Sequence, residues 1–148
     1  CRLSDFINIS NLSYIRLMGQ QYRHDNHSVS LINYHFVWIP KRRKKILTGK
    51  IERRLRDIIY QKASELECVV IALEIDIDHV HLFIGCSPKI APYQIAHRIK
   101  GASSRILRQE FPELLTLPSL WTRSYFVSTA GNVSRETIKK YIADHAKK

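Results

Sequence analysis

Two β-type runs, residues 69–75 and 79–86, stand three residues apart near the middle of the chain, with a helix-period pattern on either side. So short a linker favours direct antiparallel pairing into a hairpin. Residues 49–67 place Ile51, Leu55, Ile58, Ile59 and Leu66 at helical spacing, with Arg53, Arg54, Arg56 and Lys62 on other faces. Residues 93–111 repeat the pattern through Ile95, Ile99, Ala102 and Ile106 and stop at Pro112. A strand at 31–39, rich in β-branched and aromatic side chains and ended by Pro40, precedes the first helix. A strand at 124–129 follows the second, then Gly131-Asn132 as a flexible joint and Ser134 as N-cap of a last helix. The order β-α-β-β-α-β plus a terminal helix predicts an α+β fold: a ferredoxin-like split β-α-β antiparallel sheet with packed helices. That plan hosts many activities and selects none.

Chemistry enters with Asp78-His79-Val80-His81-Leu82-Phe83-Ile84. Side chains alternate along a strand, so His79 and His81 share one face and Val80, Leu82 and Ile84 the other. Two imidazoles converging on one point suit a divalent metal with open positions, and equally suit two hydrogen-bonded structural histidines. If Glu74 pairs with His79 across a four-residue loop, Val69, Ile71, Leu73 and Ile75 join the apolar face, leaving Glu74, Ala72 and Phe83 with the histidines. Glu74 is then placed to orient a metal-bound imidazole, or to sit solvated at a strand end. In the terminal helix Tyr141 and His145 are four apart and share a face, which could present a nucleophile beside a ligand. Lys139 or Lys140 would favour the phenolate. The same stripe, with Ile138 and Ile142, also reads as simple packing.

The 148 residues suffice for one core, so residues 22–148 are expected to form a single domain and 1–21 an N-terminal extension. Met18, the sole methionine, marks a possible natural start, with 1–17 as upstream sequence. Lys plus Arg number 24 against 13 Asp plus Glu, a formal charge of +11 that favours a polyanion such as nucleic acid or an anionic membrane surface. Apolar runs fall short of the roughly eighteen residues of a membrane span, and signal-peptide order is lacking, so a cytoplasmic protein without a membrane partner is expected. Cys1, Cys68 and Cys86 lack C-x-x-C spacing, which predicts reduced, mostly buried thiols.

Five ordered segments carry a more specific signal. They are Tyr34-His35-Phe36-Val37-Trp38-Ile39-Pro40-Lys41, Asp78-His79-Val80-His81-Leu82, Ile99-Lys100-Gly101-Ala102-Ser103-Ser104-Arg105, Leu120-Trp121-Thr122-Arg123-Ser124-Tyr125-Phe126-Val127-Ser128-Thr129-Ala130-Gly131-Asn132-Val133 and Ile138-Lys139-Lys140-Tyr141-Ile142. Over about residues 28–146 the chain resembles the single-tyrosine HUH transposases of small bacterial and archaeal insertion sequences and their repeat-associated relatives. The resemblance implies that His79 and His81 bind Mg2+ or Mn2+ and that Tyr141 attacks single-stranded DNA, leaving a 5′-phosphotyrosine and a free 3′-hydroxyl. Glutamine commonly stands four residues after the family's tyrosine. Here it is His145, a competent third ligand that would shift metal preference towards transition metals. The resemblance further implies hairpin-ended single-stranded DNA as partner and a homodimer whose terminal helix crosses between chains. Lys41, Arg42, Arg43, Lys44 and Lys45, with Arg98, Arg105 and Arg108 on the second helix, are candidate phosphate contacts or simply a solvated face, and Tyr93, Trp121 and Tyr125 are candidate stacking residues that read equally as core packing. The competing expectations are a non-catalytic ferredoxin-like nucleic-acid-binding module and a domesticated relative that binds hairpins without transposing.

Overall fold

In a computed structural model that describes residues 22–129, 140–141 and 143–144, a short antiparallel ribbon precedes one four-stranded sheet. The ribbon pairs β1 (Arg23–His24) with β2 (Val29–Ser30), strands too short to leave an alternation in the sequence. The sheet joins β3 (Ile32–Trp38), β4 (Val69–Asp76), β5 (His79–Cys86) and β6 (Phe126–Thr129) in the order β4-β5-β3-β6, every neighbouring pair antiparallel. Helices α1 (Gly49–Glu65) and α2 (Pro92–Glu110) make the crossovers. Strands β3 and β4 thus run parallel with β5 inserted between them, the split β-α-β plan that the element order predicts. Among the described residues no helix is long and apolar enough to cross a membrane.

One sheet face is the floor of the main core. Phe36 and Trp38 of β3, Ile75 of β4, and Val80, Leu82 and Ile84 of β5 pack against Leu55, Ile58 and Ile59 of α1 and Ile95 and Ile99 of α2. Burying each such aliphatic is worth about 1.5–3 kcal/mol, so a one-residue slip of β5, which would exchange Val80 and Leu82 for imidazoles, is strongly disfavoured. The buried stripe of α2 continues through Ser103 and Leu107, and Ala102 and Ile106 lie at its edge. Helix α1 stops at Glu65, two residues before the periodicity suggests, because Glu67 adopts a left-handed φ of 58°. Its N–H donates to Ser64 O at 3.0 Å and the Cys68 N–H to Ala63 O at 2.8 Å, a Schellman ending with Glu67 where glycine is usual. Cys68 and Cys86 are buried free thiols.

The hairpin register departs from expectation. Asp76 pairs with His79 and Glu74 with His81, so a two-residue turn, Ile77-Asp78, replaces the expected four-residue loop. The shift is even, and the faces of Leu73, Ile75, His79 and His81 come out as predicted. A bulge between Val70 and Ala72 breaks the alternation beyond them. Val70 therefore packs on the core while Val69 is exposed, the reverse of the sequence expectation for Val69.

Candidate active site

The second sheet face carries His79, His81 and Phe83 of β5, flanked by their ladder partners Asp76, Glu74 and Ala72 on β4 and, beside His81 and Phe83, by Val37 and His35 on β3. The central position of β5 buries both imidazoles, His79 to 5% and His81 to 0% exposure. Their ring centroids are 4.9 Å apart with planes at 80°. Burial, with smaller contributions from His79 and His35, lowers the His81 pKa to about 3, so the ring is neutral at pH 7 and able to coordinate a cation without losing a proton.

His79 is held from behind. Its Nδ1 lies 2.7 Å from Asp78 Oδ1, and Arg43 Nε donates to Asp78 Oδ2 at 2.8 Å. A carboxylate at Nδ1 assigns the proton to that nitrogen and leaves the lone pair on Nε2. Nε2 is buried, has no hydrogen-bond partner among the described residues, and lies 3.7 Å from Asp76 Oδ2. The ligand atoms of Asp76, Asp78 and His79 fall within 4.8 Å of one another. An imidazole lone pair beside carboxylate oxygens fits a divalent cation that accepts both nitrogen and oxygen. From the sequence, Glu74 is either the orienting carboxylate or a solvated residue at a strand end. The structure sets Glu74 opposite His81 and puts Asp78 on His79, with Asp76 as an oxygen donor that only the tight turn brings into reach. We expect Asp78→Asn to raise the Mn2+ concentration needed for half-saturation about 10–100-fold, measured by calorimetric titration, because the amide can present its NH2 to Nδ1 and turn the imidazole proton onto Nε2.

The reach of Arg43 has a backbone cause. Arg42 and Arg43 both adopt left-handed φ values, 56° and 54°, in the turn after β3, a conformation that costs about 1–2 kcal/mol per non-glycine residue. The turn is tied down by Arg43 N–H to Pro40 O at 2.8 Å and Lys41 N–H to Leu120 O at 2.8 Å. Arg43 is thereby turned onto Asp78, while Arg42, Lys44 and Lys45 remain exposed beside it.

Tyr141 reaches the same face from the C-terminal segment, in which Lys140, Tyr141, Ala143 and Asp144 are helical. Its ring forms a small cluster with Val37 and Ile39, joined by Phe126 at a centroid distance of 6.0 Å. Its hydroxyl lies 3.1 Å from Ser124 Oγ. Burial raises the phenol pKa and the Ser124 hydrogen bond opposes that rise. Lys140 is exposed. His145, Lys139, Gly131-Asn132, Ser134 and residues 1–21 lie outside the described residues.

The remaining candidates separate by layer. Arg98, Arg105 and Arg108 belong to α2, across the sheet from the histidines; Arg98 Nη2 meets Glu65 at 2.8 Å, and Arg108 Nη1 donates to Pro118 O at 3.4 Å. Trp121 is core: its ring stands edge-on to Trp38 at 6.0 Å and its Nε1 donates to Ser103 Oγ at 2.9 Å, which removes it from any stacking surface. Tyr125 is partly buried under Lys100, and Tyr93 is exposed.

A split β-α-β sheet thus carries paired histidines on a central strand and a helical tyrosine over the same face, and the family described as "Transposase IS200 like" matches residues 28–145. The chain belongs to this family of transposases, whose activity entails cutting DNA. It is 34% identical over 114 residues to the ISDra2 transposase TnpA of Deinococcus radiodurans, covering 75% of this chain and 81% of that protein. The crystal structure of a Deinococcus radiodurans transposase superposes with a TM-score of 0.78 at 31% identity, covering 83% of this chain and 97% of the other. A REP-associated tyrosine transposase bound to a REP hairpin shares the fold at a TM-score of 0.51 and 14% identity, covering 83% of this chain and 67% of that one.

Proposed function

We propose that this protein cuts single-stranded DNA at the ends of an insertion sequence and rejoins it through a 5′-phosphotyrosine intermediate, with Tyr141 as the nucleophile. The carrying observation is that the Tyr141 ring packs on Val37, the ladder partner of His81. Nucleophile and imidazoles thus occupy one sheet face. In the cleavage step the Tyr141 oxygen gives its proton to solvent water and bonds to phosphorus, the bond to the 3′ oxygen breaks, and that oxygen takes a proton from water as the 3′-hydroxyl. Rejoining is the same exchange with another 3′-hydroxyl as attacker. A divalent ion, Mg2+ or Mn2+, held by His79 and His81 with Asp76 in reach and His145 as the expected further ligand, supplies positive charge to the scissile phosphate. Asp78 keeps the His79 Nε2 lone pair available, and burial keeps His81 neutral.

The DNA partner follows from charge and from the hairpin-bound relative. Exposed Arg42, Lys44 and Lys45 with half-buried Lys41 flank Asp78 and so border the histidine face, where they would hold the phosphates of a strand entering the site. Arg98, Arg105 and Arg108 would meet DNA on the helical side. The test is cleavage of an end-labelled strand carrying the element's terminal hairpin, as single strand and as duplex, with Mn2+ or with chelator. Single-strand cutting that chelator abolishes is the expected result. Equal cutting of duplex, or full activity in chelator, overturns the mechanism, and binding without cutting returns the non-catalytic module.

A homodimer whose terminal helices exchange is part of this proposal, each Tyr141 then making on the partner subunit the packing that it makes here within one chain. Mixing Tyr141→Phe chains with His79→Ala/His81→Ala chains under subunit exchange restores one complete site only if Tyr141 serves the partner's histidines. Restored cutting with the adduct on the histidine-deficient chain is the expected outcome. Inactivity of demonstrated heterodimers assigns the site to a single chain, in keeping with the packing of Tyr141 on Val37 and Ile39.

A further inference from the structure

Lys100 is the one residue of the Lys100-Gly101-Ala102-Ser103 segment whose charge the site above does not use, and its surroundings are unusual for a lysine on a helix. Its Nζ donates to three consecutive carbonyls, Thr122 O at 2.8 Å, Arg123 O at 3.1 Å and Ser124 O at 2.9 Å. The ammonium also stands 5.6 Å from the centroid of the Tyr125 ring. Among the described residues no carboxylate pairs with it, and burial lowers its pKa to about 8, still protonated at neutral pH. Three donors therefore meet three acceptors on one turn of chain. One helical turn further on, Ser103 Oγ receives the Trp121 Nε1–H and donates towards the Ile99 carbonyl at 2.7 Å, which anchors the start of the same segment. Thr122 N–H donates to Ile39 O at 3.1 Å, fixing its other side to the end of β3.

The segment held at every residue from 121 to 124 carries the Ser124 side chain, whose hydroxyl lies 3.1 Å from the Tyr141 hydroxyl. We infer that Ser124 is a catalytic hydrogen-bond partner of the Tyr141 oxygen during strand cleavage, and that Lys100 is the positioning residue that sets it there. The inference rests on Tyr141 being the nucleophile. In the resting enzyme the phenol can donate to Ser124 Oγ; once the phenol proton has left, the serine hydroxyl turns to donate to the phenolate and directs its remaining lone pairs. The exchange requires only rotation of the serine hydroxyl. A mobile 122–124 turn would lose it, because the Ser124 oxygen would sample positions beyond hydrogen-bond distance.

The experiment uses the full chain, a hairpin-ended oligonucleotide and single-turnover cleavage at saturating DNA, with the adduct mapped by mass spectrometry in the parent protein first. An adduct on another residue in the parent overturns the reading of Tyr141, and this role of Ser124 with it, before any variant is considered. With Tyr141 modified, Ser124→Ala is expected to slow cleavage about tenfold at unchanged DNA affinity, and Ser124→Thr to restore most of the rate. Lys100→Met is expected to slow it at least as much. The decisive arm is the double variant: if Lys100 acts through Ser124, Lys100→Met/Ser124→Ala is no slower than Lys100→Met alone. Multiplying losses, or a Ser124→Ala enzyme with the parent rate, overturn the inference. Should Lys100→Met fail to give a cooperative thermal transition, the Ser124→Ala and Ser124→Thr pair decides it.

Discussion

Tyr141→Phe is expected to give a folded protein that binds hairpin-ended single-stranded DNA and forms no covalent adduct, with cleavage reduced at least about a thousandfold. The ring and its packing on Val37, Ile39 and Phe126 are retained, so the core cost is small. Loss of the hydrogen bond to Ser124 removes about 0.5–1.5 kcal/mol of stability, visible as a modest fall in Tm. Binding is read by titration of labelled DNA and the adduct by its persistence in denaturing gels. Adduct formation by the phenylalanine variant would place the nucleophile on another residue.

The second large effect is expected at His81. Replacement by Gln keeps a polar side chain of similar reach at a position with 0% exposure, so the fold has the best chance of surviving. Its amide is a far weaker donor to a cation than a neutral imidazole, and we expect divalent-ion affinity to fall by more than about a hundredfold, exceeding the loss at Asp78, which acts only through His79. Calorimetric Mn2+ titration reads the loss directly, and cleavage should become dependent on much higher ion concentrations. Unchanged Mn2+ affinity in a folded His81→Gln protein removes His81 from the ligand set and leaves the Asp76, Asp78 and His79 cluster as the alternative site.

The faces of the hairpin between the bulge and the turn were legible because alternation has a period of two: a register error of two residues leaves those side chains on their predicted faces. The pairing partners were not, since they depend on the Ile77-Asp78 turn, whose length no hydrophobic pattern encodes. For the same reason Asp76 escaped notice, and Asp78 was quoted as part of a motif without a role. The side-chain bonds that shape the site span long stretches of chain, from Arg43 to Asp78 and from Lys100 to Ser124. Read locally, both cations look like solvated charge. For Trp121 the sequence allows both stacking and core packing, and the edge contact with Trp38 and the bond to Ser103 that decide for the core depend on α2 crossing the sheet. For Tyr141 the helical spacing allows both a nucleophile and simple packing, and only the motif favours the first.

Strand β6 is four residues long and, among the described residues, is paired on one side only, to β3, whereas β5 carrying the histidines is paired on both sides from Val80 to Gly85. Local opening free energy tracks such differences. Amide protons of β5 should exchange only with global unfolding, and those of β6 through a cheaper event that leaves the rest of the sheet closed. Tyr141 packs on Phe126, so that event loosens the nucleophile while the imidazoles stay ordered. On the proposed mechanism the two halves of the chemistry would then have separate lifetimes: a permanently ordered pair of imidazoles to hold the cation, and a tyrosine that arrives and departs within the native state.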